Sequence, residues 1–300
     1  MINRPTLKQL KYLCAVVEHR HFGKAAEACF ISQSTLSSAI HELEEILGVS
    51  LLERNKKNIR PTAIGRDINT RATGILTFTE DLVAAAKAAH EPFTTEMHLG
   101  VIPTVAPFVL PKMLEYIREK YPKFKLYIRE DLSDRLVKEL HAGELDLLLL
   151  ALPYPAQNVT EDHLFYDEFL LAYEKHNKIA KKKNLQTNDL IDQELLLLED
   201  GHCLRDHAID VCKIKIQDVH IPYQATSLNT IIQMVASDIG MTILPKMAVE
   251  SNILQGINVD TKKFKEEEVR RSIGLMWRNK SPRKKEFEQL GGLICEALHK

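Results

Sequence analysis

Cys203 and Cys212, nine residues apart, are the pair whose spacing in this chain bears on chemistry. A thiolate attacks peroxide to give a sulfenic acid, and a second thiol captures that acid as a disulfide. If the two cysteines share one helix, about 13.5 Å of rise and roughly half a turn separate their sulfurs. A disulfide needs Cα atoms within about 7 Å, so bonding demands that the segment unwind or fold back. Such spacing suits a switch better than a structural bridge. His202, Arg205 and His207 stand beside Cys203 in sequence. With a helix N-terminus they predict donors and positive charge that hold the thiol below its free value of about 8.5. Two other readings stay open: packing cysteines, and a metal shared by Cys203 and His207 at i, i+4 spacing, with Cys212 pointing elsewhere. Cys14 and Cys29 fall on apolar helical faces, and Cys295 lies beside Phe287, Leu290, Ile294 and Leu298, so these three read as core. His19, His21 and His41 show no ligand geometry and read as surface or phosphate-contacting groups.

A second set of residues has the chemistry of nucleic-acid recognition. Leu36, Ile40, Leu43 and Leu47 form the apolar stripe of a helix capped by Ser32 and ended by Gly48. Its outer face carries Gln33, Ser34, Ser37, Ser38 and His41. A helix through Leu7, Leu10, Leu13 and Val17, a short helix over Lys24 to Cys29 and a turn at Phe30-Ile31 precede it. Two short helices and a tight turn form a unit that enters a major groove, where an amide such as that of Gln33 reads base edges. The polar segment Glu53 to Pro61 follows as a basic wing. Residues 1–72 hold 11 Lys/Arg against 7 Asp/Glu, an excess concentrated in Arg54, Lys56, Lys57, Arg60, Arg66 and Arg71. The candidate DNA contacts are Gln33, Ser34, Thr35, Ser37 and Ser38, with Lys56, Lys57 and Arg60 on the backbone.

The elements that must position these residues fall into more than one folding unit, because 300 residues exceed what one core usually holds. The apolar share of 45% and charged share of 27% are globular values, and no apolar run reaches the roughly 20 residues of a membrane span. The opening Met1-Ile2-Asn3-Arg4-Pro5 lacks the pattern of a secretory signal, so a reducing cytoplasm and free thiols are expected. From Thr62 to about His90, Ile68, Ile75, Leu82 and Ala89 recur every seven residues, flanked by Ile64, Phe78 and Ala85. This predicts a long helix that pairs with a second copy and breaks at Glu91-Pro92. Beyond residue 96, apolar runs alternate with helical patterns, predicting an α/β domain with a largely parallel sheet. The expected strands are Met97 to Ile102, Leu126 to Arg129, Leu145 to Leu150, Phe169 to Tyr173, Leu195 to Leu198, Met241 to Leu244 and Ile273 to Trp277. Ligands collect at the carboxyl ends of such strands, where Thr104 and Ser133 fall.

The run Phe22-Gly23-Lys24-Ala25-Ala26-Glu27-Ala28-Cys29, with Ile31-Ser32-Gln33-Ser34-Thr35-Leu36-Ser37, Leu43-Glu44-Glu45-Ile46-Leu47-Gly48-Val49 and Leu52-Glu53-Arg54, resembles the signature of LysR-type transcriptional regulators. The resemblance implies an α/β multidomain protein. A winged helix-turn-helix would occupy residues 1–60, a linker dimerisation helix 61–91 and an effector domain 92–300 like a periplasmic binding protein. In the effector domain, subdomain I would take about 92–165 and 270–300, and subdomain II about 166–269. A narrower match, Leu198-Glu199-Asp200-Gly201-His202-Cys203-Leu204-Arg205-Asp206 with Cys212, resembles the redox motif of the family's hydrogen-peroxide-sensing members. It implies that Cys203 is the peroxidatic and Cys212 the resolving thiol. Thr104, Ser133 and His202 would surround the peroxide, with Arg205, Asp206, His207 and Arg270 tuning the site. Ser133 departs from the usual Thr and His207 from a Gln.

The resemblance implies a cytoplasmic dimer or tetramer on double-stranded promoter DNA, with hydrogen peroxide as signal, RNA polymerase as a further partner and glutaredoxin or thioredoxin as reductant. No metal, cofactor, membrane partner or enzymatic turnover is expected. The rivals are a regulator sensing a small metabolite in the cleft between effector subdomains, with incidental cysteines, and a thiol peroxidase.

Overall fold

A computed structural model describes residues 4–55, 58–88, 92–212 and 224–299. Lys56, Lys57 and Ala89 therefore lie outside the described residues. The chain divides into two compact units, one built on Met1–His90 and the other on the remainder apart from two short segments.

In the first unit, α1 (Leu7–His19) starts at Thr6, whose hydroxyl accepts from the Gln9 backbone N–H in a capping box. Helix α2 (Phe22–Ala28) is capped by His21, whose Nδ1 accepts from Gly23 and Lys24 N–H at 3.0 and 3.3 Å. Helix α3 (Gln33–Leu47) begins at Ser32, which accepts from Thr35 N–H, and ends where Gly48 takes φ +69°, a value that favours glycine. Leu13, Val16, Ala25, Leu36, Ile40 and Leu43 close its core. The expected wing is an antiparallel hairpin of β1 (Leu52–Asn55) and β2 (Asn58–Pro61). Helix α4 (Ala63–Ala88) then runs without a break. Its Ile68, Ala72 and Leu76 pack into the winged-helix core, whereas Ile75, Phe78 and Leu82 remain 48%, 50% and 58% exposed. The expected seam thus splits, because Ile68 turns toward the core of its own unit.

The second unit opens with β3 (Met97–Val101), α5 (Ala106–Lys120), β4 (Leu126–Glu130), α6 (Ser133–Ala142) and β5 (Leu147–Leu152). The strand β6 (Val159–Glu174) follows, then β7 (Leu197–Leu198), α7 (Cys203–Val211), β8 (Gln224–Ala225) and α8 (Leu228–Ala236). The chain finishes through β9 (Thr242–Pro245), α9 (Lys246–Glu250), β10 (Val259–Lys263), β11 (Arg270–Arg278) and α10 (Lys284–Leu298). The main sheet has the order β10-β6-β11-β5-β3-β4, with β9 also on β6. Only β3 with β4 and β3 with β5 pair in parallel; the other pairings in this sheet are antiparallel. The expected largely parallel sheet is therefore mixed. Its physical reason is that β6 leaves the first half of the unit and β11 returns beside it, which forces opposite directions.

Two apolar cores flank this crossover. One gathers Leu99, Leu149, Trp277, Phe287 and Ile294, the other Phe169, Leu196, Ile232, Leu244 and Phe264. Helix α7 spans them: Cys203 belongs to the first core and Cys212 to the second.

Candidate functional site

Three parallel strands end at one place. Thr104 follows β3, Ser133 opens α6 after β4, and Ala151 lies near the end of β5. Cys203, at the first turn of α7 after His202 as N-cap, meets this corner: the Ser133 hydroxyl, the Ala151 backbone and the charge of Arg271 all act on its thiol. The site lies where sheets of this kind hold ligands, at the carboxyl ends of their strands. Thr104 and Ser133 are both buried.

Arg271 is the organising cation. Its side chain is fully buried, its Nε donates to Asp167 Oδ2 at 3.0 Å, and its Nη1 and Nη2 donate to Thr104 Oγ1 and O at 2.9 Å each. Asp167 also accepts from Met247 N–H at 3.0 Å. Because Thr104 Oγ1 accepts from the guanidinium, its own proton remains free to donate. Arg270 had been the expected tuning residue and is a correction. It is exposed, lies 4.0 Å over the Tyr166 ring, and points away because adjacent strand residues face opposite sides. The same alternation, counted back from Ile273 and Leu275, would have assigned Arg271 to the inner face. Asp167 and Tyr154, also near the site, went unrecognised because β6 begins in a polar stretch and Tyr154 lies in the loop after β5.

Electrostatics at the thiols run against expectation. Burial pushes Cys203 up more strongly than Ser133, Arg271 and the Ala151 backbone bring it down, and Asp206 adds a small opposing effect. Burial likewise pushes Cys212 up to about 12. His202 and His207 are both held below the ordinary imidazole value by burial, so at neutral pH they carry no charge to lend. Arg205 turns toward the second core, pairs with Asp200 and borders a small void with Leu198 and Ile231. Asp206 is exposed. The positive shell expected from Arg205, His202 and His207 is thus replaced by Arg271 alone.

Several buried polar atoms around the thiol lack partners of full hydrogen-bonding geometry: Ser133 Oγ, His202 Nδ1 and His207 Nδ1. A narrow void bordered by Thr104, Ser133, His202 and Cys203 adjoins them. Thr104 and His202 also border a cleft of about 410 Å³ lined by Phe108, Thr226, Ser227 and Asn229. Cys203 itself does not line that cleft. No group of three or more His, Cys, Asp or Glu arranged to hold a metal occurs among the described residues.

On the first unit, Gln33, Ser34, Thr35 and Ser38 are exposed on α3, while Ser37 is half-buried. The Ser34 and Thr35 hydroxyls lie 2.9 and 2.7 Å from Ser32 Oγ, so they are drawn into the cap. Arg60 is exposed on β2. His21 has a structural task that was not foreseen, the capping of α2. No helix among the described residues is long and apolar enough to cross a membrane.

A family model for the LysR substrate binding domain matches residues 90–298, and one for the bacterial regulatory helix-turn-helix protein, lysR family, matches residues 7–66. The chain is 37% identical to the HTH-type transcriptional regulator EstR of Acinetobacter baylyi, over 95% of this chain and 94% of that protein. It is also 37% identical to the DNA-binding transcriptional dual regulator OxyR of Escherichia coli, over 96% and 94%. Among solved structures, an H2O2-bound cysteine-to-serine variant of Corynebacterium glutamicum OxyR aligns with TM-score 0.69 and 34% identity, covering all of this chain and 94% of that one.

Proposed function

The chain belongs to the LysR family of transcriptional regulators, and on that premise we propose that it senses hydrogen peroxide through Cys203 and Cys212 and alters its grip on promoter DNA when they bond. The observation that supports this reading is the placement of the two thiols at opposite ends of α7, each buried in a different apolar core. The Cys203 thiolate attacks one peroxide oxygen, the O–O bond breaks, and sulfenic acid and hydroxide result, the hydroxide becoming water with the proton the thiol released on ionising. Thr104 and Ser133 present hydroxyls to the peroxide. Cys212 then attacks the sulfenic sulfur; the S–S bond forms, the S–O bond breaks and a second water leaves. Nine helical residues hold the sulfurs about 13.5 Å apart along the axis, so this second step requires α7 to unwind. Unwinding withdraws Leu204 and Ala208 from the second core, and the resulting repacking is the signal. A dimer built on α4 and seating α3 in successive major grooves receives it. A thiol reductant of the glutaredoxin or thioredoxin class resets the switch, and RNA polymerase reads the rearranged complex.

The experiment is alkylation and mass spectrometry before and after micromolar peroxide, paired with hydrogen exchange across residues 203–212. Peroxide should yield an intramolecular Cys203–Cys212 disulfide and loss of protection in α7. Cys212→Ser should accumulate sulfenic acid. A confirmed disulfide with unchanged exchange defeats the switch. The cleft of about 410 Å³ supports a second reading, metabolite sensing, favoured if a metabolite raises the melting temperature equally in wild type and Cys203→Ser.

A further inference from the structure

A second cavity, of about 400 Å³, opens among α5, β6, α9 and α10 and shares no lining residue with the void at Cys203. One part of its wall is apolar, formed by Phe108, Leu164, Phe165 and Leu298. Its polar part carries Lys112 and Lys246 with three carboxylates, and each carboxylate already has a cation. Asp167 pairs with Arg271, Glu168 with Lys263, and Glu250 with Lys246. Lys112 is exposed, lines the cavity, and enters no ion pair among the described residues. The volume falls in the range of small-molecule sites, and an aromatic wall beside one uncompensated ammonium selects an anion with an apolar body.

We propose that this cavity binds an amphipathic monocarboxylate, an aryl or short alkyl acid. Its apolar body lies against Phe108, Leu164 and Phe165, and its carboxylate meets Lys112. The site stands independently of the peroxide reading. Its consequence for Cys203 rests on that reading, and the route is short. Met247 and Asp167 line the cavity, Asp167 accepts from Met247 N–H and Arg271 Nε, and Arg271 holds Thr104. A ligand seated against Met247 and Asp167 therefore acts on Thr104, which borders the same narrow void as Cys203.

The test is calorimetric titration of reduced full-length protein with 3-phenylpropionate, and with 3-phenylpropanol as the neutral isostere. Alkylation of Cys295, which lines the cavity and is half-buried, runs in parallel. Expected are saturable binding of the acid, protection of Cys295, and about tenfold weaker affinity for the alcohol, the weight of one charge-assisted hydrogen bond. Lys112→Ala should weaken the acid by the same factor, and because Lys112 is exposed this variant keeps its fold. Leu298→Trp should fill the cavity and abolish binding. Equal affinity for acid and alcohol, binding that leaves Cys295 open to alkylation, or no saturable binding overturns the site. An unchanged rate of Cys203 oxidation in acid-saturated protein overturns the coupling, without touching the disulfide reading.

Discussion

On the proposed reading, a buried thiol that must react with peroxide carries a cost at the outset, because burial raises Cys203 and so leaves little thiolate at neutral pH. The rate constant for peroxide oxidation should accordingly climb about tenfold per pH unit between about pH 6.5 and about pH 8.5, as the thiolate fraction does. A plateau in that window, seen by stopped flow, would show that the thiol is already ionised. Arg271 opposes the burial effect and fixes Thr104, so Arg271→Met should slow oxidation and strand the buried Asp167 carboxylate. Breaking such a pair costs about 3–5 kcal/mol, measurable by chemical denaturation; Arg271→Lys keeps the charge but loses the fork that spans Asp167 and Thr104. His207 gives a separate test, in which it is stability that is lost on acidification. Its folded-state value lies below the unfolded imidazole value of about 6.5, so protons bind the unfolded chain more readily. Stability is intact above that value and falls as the pH drops through the folded one. His207→Gln should flatten this acid loss in melts at about pH 5.5 and about pH 7.5, and equal slopes for the two proteins would refute the assignment.

At the scale of elements, the proposed reading puts the recognition chemistry on α3, where the cap at Ser32 decides which side chains are free for it. Since Ser34 and Thr35 are drawn toward Ser32, Gln33 is left as the principal base reader. Gln33→Ala should cost about 1–3 kcal/mol of discrimination between operator and scrambled duplex while leaving the salt dependence in place. Equal discrimination in a fluorescence-anisotropy titration would move the readout elsewhere. This helix was legible because Leu36, Ile40 and Leu43 repeat at helical spacing and Ser32 and Gly48 mark its ends. Helix α10 and strand β3 were legible for similar reasons. The strand β10 was not, since Val259-Asp260-Thr261-Lys262-Lys263 is polar and owes its conformation to pairing with β6. The first half of β6 was missed likewise, because its polar residues are held by β11 across a long sequence separation. Of the residues that motif and spacing singled out, the structure brings Cys203, Thr104 and Ser133 together and holds Cys212 in the other core. The sign of the thiol's electrostatics was hidden, because burial is a property of the assembled cores, Arg205 turns toward the second core, and the cation that acts on the thiol is the distant Arg271.

At the scale of the molecule, the exposed row Ile75, Phe78 and Leu82 on α4 is the surface a second copy would cover. Leu82→Glu should halve the mass seen by sedimentation and weaken operator binding by at least tenfold, because a charge in an apolar seam is costly and one head alone loses the gain of paired sites. An unchanged oligomer would assign the interface to another surface. The mixed sheet has a further consequence, for the order in which the protein is made. Leu147, Leu148, Leu149 and Leu150 are all completely buried in the finished unit, and their antiparallel cover is β11, with Ala151 set against Ile273. A ribosome adding about 5–20 residues per second delivers that partner roughly ten seconds after the leucines emerge. During that interval an unbroken leucine strand waits on the nascent chain without its antiparallel mate, an apolar surface of the kind that chaperones exist to hold.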